Sequence, residues 1–288
     1  MSIRSNVVKR QCSSVWNTAL ANFESWMHSP KTAVLLVFLI ALCFIEVRGT
    51  VEQLDALNAR VYWNEMVFNQ LSYGSNILIS TALFFSVMSE VPRRISVQNL
   101  ILIRSTKARW MTGQMLYMLM LVLAFWLCIC TGSVIFSIDQ LQPGFGWSDT
   151  ARITSGVIAE EDAFVPAVMR DYFTPIKAIL LASLPLLLFW YSILITIFLF
   201  SIFHYPNLGV VFCAINVYSV MTVGIINIDP KWFCINYSTL ASIFGYDYSI
   251  YKIWNVLIVY MIYLLVITIL AYTYIRNKDV GFNTCYEG

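Results

Sequence analysis

Six apolar runs separated by polar segments dominate the chain, at about 32–46, 71–89, 112–137, 176–203, 208–228 and 253–275. A helix needs about 20 such residues to cross the hydrocarbon of a bilayer. The runs therefore predict six transmembrane helices, at about 32–50, 70–90, 111–137, 176–203, 208–228 and 253–276. The first run is the shortest, with Lys31 before it and Glu46 and Arg48 after it, and it reaches across by tilting and by snorkelling of those flanks. A long segment precedes it and no small-residue cleavage site follows, which argues against the core of a signal peptide.

The polar segments carry their own patterns. Val15, Trp16, Ala19, Leu20, Phe23, Trp26 and Met27 recur at three- and four-residue steps, so residues 13–28 predict an amphipathic helix that Pro30 breaks. Its two tryptophans suit a membrane interface, although the same face is equally able to bury against protein. Residues 91–112 read VPRRISVQNLILIRSTKARWMT. Pro92 ends the second span and Ser96 can cap a new helix, placed at about 94–108. Ile95, Leu100, Ile101 and Ile103 give that helix an apolar side, while Gln98, Asn99, Arg104, Lys107 and Arg109 are available to solvent. A basic loop that only obeys the positive-inside rule is the alternative.

Three further segments join the spans. Val61, Tyr62, Trp63, Met66, Val67 and Phe68 cluster ahead of the second span and predict an interfacial aromatic anchor. Pro143, Gly144, Gly146, Pro166 and Pro175 punctuate residues 138–175 and leave room for short helices at most. Residues 229–252 are rich in aromatics, from Trp232 to Tyr251, and predict a re-entrant region of short helices. No internal repeat or linker interrupts the chain, so residues 1–288 form a single transmembrane domain.

Charge sets the orientation. Eleven of the eighteen basic residues (Arg4, Lys9, Arg10, Lys31, Arg93, Arg94, Arg104, Lys107, Arg109, Arg276 and Lys278) share one side if the N-terminus is cytoplasmic. The opposite side then holds twelve of the sixteen acidic residues, including Glu160, Glu161 and Asp162. Positive charge is retained inside, which predicts a multi-pass protein of the cell membrane with both termini cytoplasmic.

Composition agrees with that class. The chain is 59% hydrophobic, 15% aromatic and only 12% charged, with a mean hydropathy of +0.71. Soluble domains carry about 25% charged residues. The expected fold is therefore an all-α integral membrane protein embedded in a lipid bilayer. The net charge of +2 follows from topology and traces no groove-tracking stripe, so nucleic acid is not an expected partner. The seven cysteines are odd in number and mostly lie inside spans, which excludes a disulfide framework. Cys128 and Cys130 are too close for a CxxC pair and point to different helix faces.

Catalytic chemistry is missing from the pattern. The two histidines, His28 and His204, have no second metal ligand at helical spacing. There is no GxSxG elbow, no GxxxxGK[ST] phosphate loop and no carboxylate in the middle of a long span. The chain is therefore expected to be no enzyme and to bind no metal or cofactor directly. The spans carry neutral polarity instead: Ser72, Asn76 and Ser80 step by four along one helix, and Asn216, Ser219 and Thr222 step by three along another. Two readings fit these faces, interhelical hydrogen bonding and the border of a translocation path.

The order of parts resembles the membrane (permease) subunit of a type-2 ABC transporter, the class grouped with the type V exporters. The likeness covers almost the whole chain. It rests on the N-terminal amphipathic helix, six spans, a cytoplasmic helix between the second and third, an aromatic re-entrant region before the sixth, and a basic exit. In residues it rests on Glu90, the run Asn99-Leu100-Ile101-Leu102-Ile103-Arg104, Arg109-Trp110, Gly113, and Tyr274-Ile275-Arg276-Asn277-Lys278-Asp279-Val280. The chain departs from the family in having Ser105-Thr106 where a proline is common and Gln114 where a lysine follows the glycine.

The resemblance implies an ATP-driven exporter in the plasma membrane of a bacterium. Two membrane subunits, identical or paralogous, would form the pathway. Separate ABC ATPase subunits, holding ATP and Mg, would dock on a coupling helix bearing Arg93, Arg94, Gln98, Asn99, Leu100, Arg104, Lys107 and Arg109. Apolar and aromatic walls favour an amphipathic peptide, drug or lipid as cargo. Two alternatives stay open: a non-transporting scaffold or sensor that recruits a cytoplasmic partner, and a secondary carrier, which inverted repeats would mark.

Overall fold

Ser29 and Pro30 show how local chemistry sets the first long helix. The Ser29 hydroxyl accepts from the Thr32 amide at 3.2 Å, and Pro30 occupies the first helical position, where its missing N–H costs nothing. The computed structural model describes residues 2–72, 74–88, 107–151, 167–203, 205–223 and 250–277. Among them the chain is mostly helical. In order run α1 (Ser2–Met27), α2 (Pro30–Ala56), strand β1 (Val61–Tyr62), α3 (Trp63–Ser72), α4 (Gly74–Met88) and α5 (Lys107–Phe136). A 3-10 turn (Ile138–Gln140), strand β2 (Leu141–Gln142), α6 (Ala167–Tyr172), α7 (Pro175–Ile202), α8 (Pro206–Val223) and α9 (Ile250–Asn277) follow.

Four of these helices are long and apolar enough to cross a membrane, at Pro30–Ala56, Ala108–Phe136, Pro175–Ile202 and Leu257–Ile275. They coincide with the first, third, fourth and sixth expected spans, and they make this a membrane-embedded all-α protein. The second expected span falls on the end of α3 and on the 15-residue α4, and the fifth on the 18-residue α8.

Cross-helix contacts give the directions. Trp110 meets Phe198, the Tyr191 hydroxyl donates to the Met115 carbonyl, and the Trp126 indole donates to the Ser183 hydroxyl, so α5 and α7 run antiparallel. Phe189 meets Tyr260, Thr196 bonds Tyr263, and Phe203 meets Tyr274, so α9 runs parallel to α7.

Helix α7 is the hub, packed against α3, α4, α5, α8 and α9. Every residue from Ser192 to Leu199 is buried, the signature of a helix that is apolar all round and surrounded by protein. Of its apolar window 61% is buried, against 22% for α2 and for α9. Trp190 anchors the centre: its ring stacks on Phe84, meets Phe125 edge-on, and its indole N–H donates to Thr81 at 3.0 Å. Lipid competes well for apolar surface, so close packing and hydrogen bonds of this kind must hold such helices together.

Two expectations change here, and a third lies outside the described residues. Helix α1 begins at Ser2 rather than at residue 13, because no proline or glycine breaks it before Met27 and polar residues leave no apolar period to read. Its buried side, Thr18, Ala19 and Asn22, packs on α5 of the same chain. The cluster from Val61 to Phe68 contributes to the core: Val61, Met66, Val67 and Phe68 are buried at β1 and α3, while Tyr62 and Trp63 are half-buried. Of the aromatic region 229–252, only the start of α9 lies within the described residues.

Candidate functional site

At the end of the bundle where α5 begins, two helices approach very closely. A Cβ placed on Gly113 would lie 2.9 Å from Thr18 Cγ2, 3.0 Å from Thr18 Cβ and 3.3 Å from the Val15 carbonyl. Only glycine allows this crossing of α1 over α5. Around it Trp110 packs on Phe198 with ring centroids 5.8 Å apart, and Met111 and Tyr117 are buried. Two amides, Asn22 and Gln114, are buried in the same crossing, and neither NH2 group has a hydrogen-bond partner. An unpartnered buried donor costs about 1–3 kcal/mol.

The expected ATPase-coupling residues distribute unevenly over this picture. Arg93, Arg94, Gln98, Asn99, Leu100 and Arg104 lie outside the described residues. Lys107 is the first residue of α5, and Arg109 sits half-buried in its first turn. The basic segment therefore leads straight into the helix that α1 clasps.

The expected polar faces are only partly visible. Ser72 closes α3 and its hydroxyl donates to the Asn69 carbonyl at 3.4 Å. Ser80 is buried in α4 and donates to the Ile77 carbonyl at 3.0 Å. Both hydroxyls thus satisfy themselves within their own helices. Asn76 belongs to α4, and Asn216, Ser219 and Thr222 belong to α8, with side chains outside the described set. Helices α4 and α8 pack on each other within one chain.

The opposite end of the bundle holds a cap that periodicity does not reveal. Strands β1 and β2 pair in parallel, Val61 with Leu141 and Tyr62 with Gln142. Glu65, fully buried, accepts from the Tyr62 amide at 3.0 Å and from the Ser148 amide. Asn64, also fully buried, donates to the carbonyls of Phe145 at 3.1 Å and Gly146 at 3.3 Å. Trp147 meets Phe68 edge-on and donates its indole N–H to the Phe173 carbonyl at 2.8 Å. The starts of α3 and α7 and the exit of α5 are thereby fastened together. Burial pushes the Glu65 carboxyl above the usual carboxylate range, against hydrogen bonds from the Ser148 amide, the Tyr62 amide and the Ser148 hydroxyl.

A second acidic residue also escaped the sequence pattern. Glu46, just past the middle of α2, accepts from the Gln70 amide of α3, and its other oxygen is buried without a partner. Its only signal in the sequence is its position at the edge of the first apolar run. Among the described residues, no group of three or more His, Cys, Asp or Glu side chains could hold a metal ion. Cys43, Cys128, Cys130 and Cys213 are free thiols.

Comparison with protein-family models, with curated proteins and with solved structures gives no match for the chain.

Proposed function

We propose that this chain is the multi-pass membrane subunit of an ATP-driven exporter. It crosses the plasma membrane six times with both termini cytoplasmic, the end of α3 with α4 serving as the second span and α8 as the fifth. It pairs with a second membrane subunit and receives force from separate ABC ATPase subunits that bind ATP and Mg. The basic segment at 91–110 is their docking site, and an amphipathic peptide, drug or lipid is the cargo.

The clasp of α1 on α5 at Gly113 is the observation that supports this reading best. A partner pushing on the basic segment would move a 30-residue helix, about 45 Å long at 1.5 Å per residue. That rod carries the displacement from the docking end to the cap. Docking alone transmits nothing, so the ATPase states must differ in their contacts with the segment.

The test is co-purification with a candidate ATPase, followed by its turnover in liposomes with Arg104→Glu and Leu100→Asp. The wild-type chain retains the ATPase and changes its turnover, and both variants lose the effect. An ATPase that never binds sinks the exporter reading and leaves the secondary carrier. Binding with turnover indifferent to both substitutions leaves the scaffold.

A further inference from the structure

The crossing of α1 over α5 buries the wrong side of an amphipathic helix. Thr18 and Asn22 stand one turn apart on the polar flank of α1, and both are buried together with Ala19. Asn22 is 2% exposed and Gln114, next to Gly113 on α5, is 4% exposed, yet neither NH2 group has a hydrogen-bond partner. The apolar side is covered less. Val15, Leu20, Phe23 and Trp26 are half-buried, and Trp16 and Met27 are exposed.

We propose that α1 is a releasable strap, which exchanges between its clasp on α5 and a position in the headgroup layer of the membrane where Asn22 and Gln114 find acceptors. Two effects set the balance. Release takes protein contacts from the apolar residues of α1, but lipid replaces them, because hydrocarbon is as apolar as a protein core. The two amides have no such substitute while clasped. Once α1 lifts, water and the phosphate and ester oxygens of the headgroups accept from both. The close fit of Thr18 on Gly113 opposes release, so the clasp holds by a small margin.

The join to α2 suits a pivot. Helix α1 ends at Met27 and α2 begins at Pro30, which has no N–H to carry the helical ladder across the join. The Ser29 amide donates to the Trp26 carbonyl at 3.0 Å and the Thr32 hydroxyl donates to the same oxygen, so the turn stays tied while α1 swings as a unit. Among the described elements α1 packs chiefly on α5 and little on α2. Closed, the strap pins the start of α5 at Gly113. Open, it leaves that end free to shift.

The strap stands apart from the exporter reading, since neither an ATPase nor a cargo enters it. Alkylation of the full chain in phospholipid nanodiscs by a water-soluble maleimide tests it, with each site read by peptide mass spectrometry. Thr18→Cys puts a reporter of similar size in the clasp, where the native residue is 5% exposed, and Asn17→Cys, at an exposed position, gives the reference rate. Residue 18 should react about 10- to 1,000-fold more slowly than residue 17, the mark of a local opening in a folded bundle. Gln114→Met and Asn22→Leu each remove one stranded donor, so each should slow residue 18 by a further factor of about 5–150 and leave residue 17 unchanged. Equal rates at residues 17 and 18 overturn the strap, as does a residue 18 that never reacts, and so does a failure of both apolar replacements to slow it. If Thr18→Cys does not fold, spin labels on non-canonical side chains at the exposed positions 17 and 112 decide by pulsed electron resonance. Two separations support the strap and a single one overturns it.

Discussion

Replacing Gly113 with alanine tests the clasp between α1 and α5 directly. The new methyl would stand 2.9 Å from Thr18 Cγ2, with Thr18 Cβ at 3.0 Å and the Val15 carbonyl at 3.3 Å. Thr18 is β-branched and stiff in a helix, so the strain must go into a shift of α1. Overpacking of this size costs about 1–3 kcal/mol. Alanine also returns about 1 kcal/mol of helix propensity. The net expectation for Gly113→Ala is a loss of about 0–2 kcal/mol. Thr18→Ser removes the nearest atom while keeping the hydroxyl. In that background Gly113→Ala should cost less, since only the Cβ and carbonyl contacts remain, giving a coupling energy of about 1 kcal/mol across the double-mutant cycle. Unfolding of the four proteins in denaturing detergent measures the cycle. Additivity within about 0.3–0.5 kcal/mol would refute the contact, and so would a full propensity gain in both backgrounds.

Substitutions at two further positions probe buried polarity and packing. Gln114→Met removes an unpartnered amide from the α1–α5 crossing at similar volume, so the unfolding midpoint should rise, by up to about 1–3 kcal/mol. A loss greater than about 1 kcal/mol would show that the amide bonds something in the native membrane. Trp190→Ala should cost about 3–5 kcal/mol by cavity formation at the hub. Trp190→Phe should cost less, through the stranded Thr81 hydroxyl, and a negligible effect of both in the same unfolding assay would remove Trp190 from the core.

The long helices were legible because an apolar run of span length has few other uses. Their ranking was not, since α2 and α7 are comparably apolar and differ in what surrounds them. Apolar runs tell lipid-facing from protein-facing helices poorly, because both environments favour the same residues. The burial of Val61, Met66, Val67 and Phe68 was hidden for a similar reason: apolar and aromatic residues suit an interface and a core alike. Asn64 and Glu65 were invisible as a pair because their partners lie more than eighty positions away, a separation no local period encodes. Gly113 stood out by its family likeness, and its physical reason, the approach of Thr18, needed the fold.

The parallel ladder between β1 and β2 bears on how this protein is made. Tyr62 leaves the ribosome some eighty residues before Gln142, with α3, α4 and α5 still to be synthesised in between. A nascent chain that has inserted α3 therefore carries a bare carboxylate and a bare amide awaiting a bracket that does not yet exist. Chains truncated before residue 148 lack the distant partners of Asn64 and Glu65 and should be prime targets for quality-control proteases.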